Sequence, residues 1–390
     1  LVVSGCLAQH YKEKIETAIP EVDLVIGTGE YPQLTKLLAQ KKSDPNFKKT
    51  WVGSPSFVHT EKDPKVNTGS SHMAYLKVSE GCNKNCYYCI IPDLRGRTRS
   101  RPIEDVVSEA RKLVSTGVKE LVLIAQDLTE YGQDKKFAFN LAGLLKELVG
   151  VEGLEWIRLL YTYPDHLPDE VIHLMATEKK IVSYIDMPIQ HLNNRVLKSM
   201  NRRITKERVF ELVEELRAKV PGIFIRSSFI VGYPGETEEE FQELYDGLQE
   251  LRLDHVGVFA YSFEESTKSG KLENQIPEIT KKKRQRKIQE LHQKILNEKL
   301  AAKVGTVMEV IIEGAHPDTD LLIAARHYGQ APEIDGKVIV NDGFAHPGEL
   351  VKVRITEVAG LDLIGEIVER SSDFITYSPA METFDIQRSH

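Results

Sequence analysis

Cysteine is scarce in this chain: 390 residues carry four, alongside two tryptophans and six methionines. Four thiols cannot staple a chain of this length. That excludes the small disulfide-built folds and predicts a reducing, cytoplasmic setting. Long apolar runs are missing as well. None approaches the ~20 residues that a membrane-spanning helix requires, and no signal-peptide pattern precedes the first strand-like run. The chain opens on "LVVSGC", without Met and already inside such a run, so it reads as a fragment or as a chain lacking its first segment. A general basic excess is absent too. The net charge is −7, and residues 304–370 hold five basic against twelve acidic side chains, which accounts for all of it. What remains is ordinary for a globular protein of two or three domains, with 41% hydrophobic and 28% charged residues.

What is present has a clear order. Residues 1–45 alternate strand-like and helical stretches, part of an α/β unit. Residues 46–73 are rich in Pro, Ser, Gly and Lys without a sustained period and read as a linker. Between 74 and 303, six β-branched or aromatic runs ("AYLKVS", "ELVLIA", "EWIRLLY", "SYIDMPI", "IFIRSSFIV", "HVGVFAY") alternate with amphipathic helical stretches. That alternation implies parallel β/α units, in an open sheet or in a barrel two units short of the eightfold kind. A long charged helix containing "KKKRQRK" closes the region, and that run reads as a solvated helix face. Five short strands then follow over 304–370, predicting a small all-β barrel, and 371–390 reads as a loosely ordered tail.

Three of the four cysteines, Cys82, Cys86 and Cys89, fall within "SEGCNKNCYYC", on a loop after a strand. Structural zinc takes four protein ligands, and the nearest extra candidate, His72, lies across a flexible stretch, so a Cys3His site is the weaker alternative. Three unligated core thiols would not sit among Asn83, Lys84 and Asn85, which make the loop polar. An iron–sulfur cluster on three thiolates keeps one iron open to another ligand, and C-x3-C-x2-C fits a cuboidal [4Fe-4S] cluster of that kind. At the strand ends, where barrel enzymes place their working residues, stand Gln126–Asp127, Tyr161 to Tyr163, Pro188 to Gln190, Arg226–Ser227 and Tyr261. "VGYPGETEEEF" places Thr237 and Glu240 at capping-box spacing after Gly232 and Gly235.

The cysteine loop resembles that of the radical S-adenosylmethionine (SAM) enzymes, with Tyr88 in its aromatic slot. The resemblance implies a partial (β/α)6 TIM-like barrel and SAM chelated by the open iron. It also implies one-electron cleavage of SAM to a 5′-deoxyadenosyl radical, for C–H bonds that no acid–base route can open. It points to Tyr88, Gln126, Gln190, Arg226, Ser227 and Gly232 as SAM-binding residues, with Arg226 on the SAM carboxylate. Asp127, Tyr163, Tyr261 and Arg97 are substrate-pocket candidates. Arg95, Arg97, Arg99 and Arg101 would share one face of an extended segment, either as a solvated loop or to neutralise the cluster or the SAM carboxylate.

Over almost its whole length the chain resembles the methylthiotransferases. "SGCLAQ" and "PEVDLVIGTGEY" look like the end of their N-terminal domain, "YLKVSEGCNKNCYYCIIPDLRGRTRSRP" like their central motif, and 304–370 like their TRAM barrel. The family's second, N-terminal cluster uses three further cysteines, and Cys6 matches one of them. The other two have no counterpart here and are expected upstream of Leu1. The resemblance also implies a sulfur donor and an electron-donor protein as partners. One branch of the family methylthiolates isopentenylated adenosine in tRNA, and the other the β-carbon of an aspartate in small-subunit ribosomal protein S-twelve. The acidic barrel favours the ribosomal-protein branch, because phosphates call for positive charge whereas ribosomal proteins are basic, and the run "APEIDG" resembles one in the TRAM of that branch. A non-enzymatic iron–sulfur or RNA-binding adaptor is the remaining alternative.

Overall fold

The computed structural model describes residues 1–370 except Val66, Thr68 and Phe137, and the tail expected over 371–390 lies outside the described residues. Short apolar runs near the start, Val2–Ser4 (β1), Leu24–Ile26 (β2) and Thr50–Trp51 (β3), form a parallel sheet in that order. The third strand falls inside the stretch expected to be a linker. Its Thr50 is buried and its backbone extends the ladder of Val25, a pairing that composition could not show.

The six central runs become six parallel strands. Met73–Lys77 (β4) is followed by a small antiparallel pair, Ser79–Glu80 (β5) with Arg99–Ser100 (β6), which brackets the cysteine loop. Glu120–Ile124 (β7), Trp156–Leu159 (β8), Ile181–Asp186 (β9), Phe224–Val231 (β10) and His255–Ala260 (β11) complete the sheet, in the order β4-β7-β8-β9-β10-β11. Both faces are apolar, as a parallel sheet requires. One set of alternate residues (Leu76, Leu121, Leu123, Ile157, Ile185, Ile225) packs against the helices. The other set (Met73, Val122, Trp156, Val182, Tyr184) packs against Ile311 and Ala331 from the C-terminal part of the chain. Thr237 and Glu240 form the expected reciprocal cap on the helix Glu238–Leu251.

Val307–His316 (β12), Thr319–His327 (β13), Val338–Asp342 (β14), Leu350–Ala359 (β15) and Asp362–Arg370 (β16) close into a barrel around Val310, Ile312, Val338, Val353 and Leu363. Its 327–336 segment enters the inner face of the six-stranded sheet. Tyr328 offers its carbonyl to Arg158 (2.7 Å), and Asp335 accepts from the Tyr184 hydroxyl (2.9 Å) and from Arg226 (2.5 Å). The "APEIDG" run is therefore a plug between the two domains. "KKKRQRK" departs from its expectation in part: Lys281 and Arg284 are buried, the first donating to the Tyr261 carbonyl (2.9 Å), the second pairing with Glu236 (2.8 Å).

Candidate functional site: a three-cysteine cavity at the strand ends

Gly81 starts the cysteine loop with φ +85°, and a Cβ there would lie 2.2 Å from the carbonyl oxygen of Arg97. Only glycine lets the two backbones approach so closely. The Cys82 N–H then bonds to the Gly96 carbonyl (3.0 Å), which holds the loop open. Beyond it, Cys82, Cys86 and Cys89 line one cavity of about 190 Å³ together with Tyr88, Gln126, Asp127, Tyr163 and Gln190. Those eight expected site residues are thus brought together.

The cavity wall is strained and charged. Tyr161 (φ +59°) and Gln190 (φ +79°) both hold left-handed backbone that non-glycine residues seldom adopt. Gln190 is kept there by its N–H to Ser228 (2.8 Å) and by its carbonyl, which accepts from Ile230 (2.9 Å). Gln126 is fixed by accepting from the Gly81 N–H (2.7 Å) and donating to Glu80 (3.1 Å). Lys84 and Arg202 flank the Tyr163 ring at 4.2 Å and 3.9 Å from its centroid. Arg202 also reaches to 3.9 Å from the Cys86 sulfur and donates to the Pro188 carbonyl. Burial raises the Asp127 carboxyl, opposed by its hydrogen bonds from Thr129 and by Lys84 3.7 Å away.

The donor set fits an iron–sulfur cluster better than a single ion. Among the described residues no three His, Cys, Asp or Glu side chains converge on one point, and His72, the extra ligand of the zinc alternative, is buried against Gly348 and does not line the cavity. A cuboidal cluster takes each thiolate on a different iron, so its sulfurs need not converge. Backbone N–H groups of Lys84 and Ile91 already point at the sulfurs of Cys82 and Cys89, both at 3.4 Å, and such bonds stabilise thiolate ligands. Two buried polar atoms on the wall, Asp127 Oδ2 and Arg202 Nε, have no hydrogen-bond partner among the described residues, Oδ2 having only the Lys84 ammonium at 3.7 Å, which leaves them for a polar ligand.

Other expected site residues lie elsewhere. Arg226 is the third residue of β10 and not at its end. Its guanidinium pairs with Asp335 (2.5 Å) and stands 3.8 Å from Asp186, at the plug and away from the cavity wall. The arginine beside the cysteines is Arg202, which sequence reasoning passed over. The only signal for it was the basic "NRR" after a short helix. Ser227 is buried behind the cavity, accepting from the Ile189 N–H (3.2 Å). Gly232 faces Lys281, whose Cγ would lie 2.3 Å from an added Cβ, and does not line the cavity. Tyr261 packs behind Tyr88, its hydroxyl donating to Ser269 (2.8 Å). Arg97 is exposed and has no ion pair among the described residues. The four alternating arginines share no face: Arg95 bonds Cys6 and Glu80, Arg99 bonds backbone carbonyls, and Arg101 is buried against Asp105 and Glu109. Cys6 receives the Arg95 Nε–H (3.1 Å) and does not line the cavity.

Residues 76–248 match the Radical SAM superfamily, and 304–368 match the TRAM domain. The ribosomal protein uS12 methylthiotransferase RimO of Anaeromyxobacter sp. is 47% identical over 96% of this chain and 78% of its own length. That of Bdellovibrio bacteriovorus is 46% identical over 94% and 81%. The chain belongs to the radical SAM methylthiotransferase family, with the RimO proteins. Its fold is also that of the radical SAM methyltransferase TsrM from Kitasatospora setae, solved with tryptophan and a SAM analogue (TM-score 0.54, 17% identity, 69% of this chain and 57% of that one). Membership in this family implies a [4Fe-4S] cluster and SAM as cofactors. Among the described residues no helix is long and apolar enough to cross a membrane.

Proposed function

We propose that this chain is a methylthiotransferase acting on ribosomal protein uS12 in the cytoplasm, placing a methylthio group on the β-carbon of an aspartate. The supporting observation beyond kinship is the charge of the C-terminal barrel. All five of its basic residues are committed: Arg326 to Glu120 and Glu313, Lys337 to Glu313, Lys352 to Glu369, Arg354 to Glu366 and Arg370 to Glu349. Among the described residues, Glu309, Asp318, Asp320, Asp342 and Glu357 remain exposed without an ion pair to Lys or Arg. Such a surface repels a phosphate backbone and steers a Lys/Arg-rich protein.

Cys82, Cys86 and Cys89 would hold the [4Fe-4S] cluster, while Gln126, Gln190, Asp127 and Arg202 would hold SAM, with Arg202 suited to its carboxylate. Bound there, these cofactors supply one-electron chemistry for an unactivated C–H bond. The chain's own part is to shape and charge the cavity. Arg202 and Lys84 balance negative charge around the thiolates, Tyr163 separates the two cations, and Gln126 and Gln190 stand fixed by their own hydrogen bonds. A second cluster would use Cys6, with Arg95 donating to its sulfur, and would require two ligands outside this sequence, a sulfur donor and an electron-donor protein. The working division is 74–303 for catalysis and 304–370 for the partner.

The test is binding of the whole chain to uS12 and to an anticodon stem-loop at low and moderate salt, with mass analysis of uS12 after anaerobic turnover. Association with uS12 that weakens with salt, and a methylthio gain on one aspartate, are expected. Tight, salt-sensitive RNA binding without affinity for uS12 would return the chain to the tRNA-modifying branch.

A further inference from the structure

A cavity larger than the cysteine site lies elsewhere in the fold. It encloses about 640 Å³ at the opposite, N-terminal end of β10 and β11, between the helix Glu278–Ala301 and the C-terminal barrel. Its volume lies within the range of small-molecule sites, which favour such domain interfaces. Its apolar wall comes from Phe224, Leu296, Leu300 and Ile334.

The charges on that wall are unequally satisfied. Asp254 is paired with Lys299 (2.5 Å) and also accepts from the Ile225 N–H (3.0 Å). Asp335 has both oxygens in use, one paired with Arg226 and 3.3 Å from His255, the other accepting from Tyr184 and Ala331. Burial holds the titration of His292 down to about 4 and lowers that of His327 as well, so both are neutral at pH 7. The positive side is left with a surplus. Lys303 has no ion pair or hydrogen bond from its ammonium among the described residues and stands 5.3 Å from the Phe224 ring centroid. A half-buried ammonium beside an aromatic face, in a cavity whose carboxylates are all paired, lacks one negative charge.

We propose that this cavity is a binding site for a small organic monoanion, a carboxylate on an apolar or aromatic body. The carboxylate pairs with Lys303, and the body lies against Phe224, Leu296 and Ile334. A phosphate, with greater charge and no apolar part, suits the wall less well, because one free cation cannot balance a dianion. The site is separate from the cysteine cavity, so neither cluster nor SAM is needed for its occupancy.

The test is isothermal titration of the full chain, without cluster, with 2-naphthoate and its neutral counterpart 2-naphthamide. Saturable binding of one 2-naphthoate is expected, about tenfold or more tighter than the amide, with that margin lost in Lys303→Met. Lys303 is half-buried beyond a helix end, and the substitution keeps most of its stem, so folding is checked by circular dichroism. On the unaltered protein, 2-naphthoate should protect Lys303, and not Lys282, from acetylation by acetic anhydride, read by peptide mass mapping. Equal affinity for acid and amide, unchanged binding in Lys303→Met, or no protection of Lys303 would each overturn the proposal.

Discussion

Replacing Arg326 by Met tests how the C-terminal barrel is joined to the catalytic domain. Glu120, at the start of β7, is fully buried, and its two oxygens accept from Arg158 Nε (2.7 Å) and Arg326 Nη2 (2.6 Å). Arg158 comes from the neighbouring strand, whereas Arg326 crosses from the barrel and also binds Glu313 (2.5 Å). Removing one cation of a buried cluster leaves uncompensated charge at a cost of about 3–5 kcal/mol. The titration of Glu120 gives a similar figure. The two guanidinium groups outweigh its desolvation and hold its carboxyl at about 2 instead of 4.5, a difference that corresponds to about 3 kcal/mol at neutral pH. Because the folded value is the lower one, this contribution is complete above pH ~4.5 and is lost as the pH falls from there through 2. Trp156 sits on the inner face of the sheet beside Ile311 of the barrel and reports the junction, and Trp51 is the other tryptophan. Urea unfolding followed by Trp156 fluorescence in a Trp51→Phe background should therefore show a loss of about 3–5 kcal/mol in Arg326→Met at pH 7. The gap should narrow as the pH falls below 4.5. Replacing Glu120, Arg158 and Arg326 together by Leu, Met and Met should recover much of the loss, since well-packed apolar groups often equal a buried ion cluster. A single-variant loss below about 1 kcal/mol, or an acid profile identical to that of the parent, would refute the reasoning.

Anaerobic reconstitution should load about four irons on Cys82, Cys86 and Cys89, and Cys86→Ala should lose both the visible absorption and reductive cleavage of SAM; bound zinc with cleavage intact would contradict the cluster. Arg226→Gln should lower stability by about 3 kcal/mol in denaturant melts, because Asp335 loses its partner, yet leave SAM affinity unchanged in equilibrium binding. Arg202→Gln should weaken SAM binding instead, and the opposite ranking would restore Arg226 to the cofactor. Gly232→Ala should cost about 1–3 kcal/mol in the same melts, since φ is +71° and the new Cβ would displace Lys281. An Ala variant as stable as the parent would show that this packing gives way freely.

The sequence by itself determined what depends on local order. Alternation of β-branched and amphipathic stretches set the six parallel strands and the five-stranded barrel, because side-chain periodicity follows from backbone geometry alone. Cysteine spacing set the three-cysteine cavity, because three thiols within eight residues of one loop stay close together. The capping box at Thr237 and Glu240 was legible for the same reason: its two bonds close within four residues. Tertiary structure decided which distant charge met which. Arg226 and Arg202 are both plausible carboxylate binders in one dimension, but Arg226 stands low on its strand, where Asp335 enters from more than a hundred residues away. Arg202 is carried to the cysteines by the turn after the short helix Asn194–Ser199. "APEIDG" read as a family mark, and only the packing of two domains made it a plug. Arg158, Arg202, Arg226, Lys281, Arg284 and Arg326, all buried or half-buried in the fold, looked alike as letters. Their partners were fixed by burial, which forces every cation taken from water to find a carboxylate, a carbonyl or an aromatic face, and no local rule says which of these will be nearby.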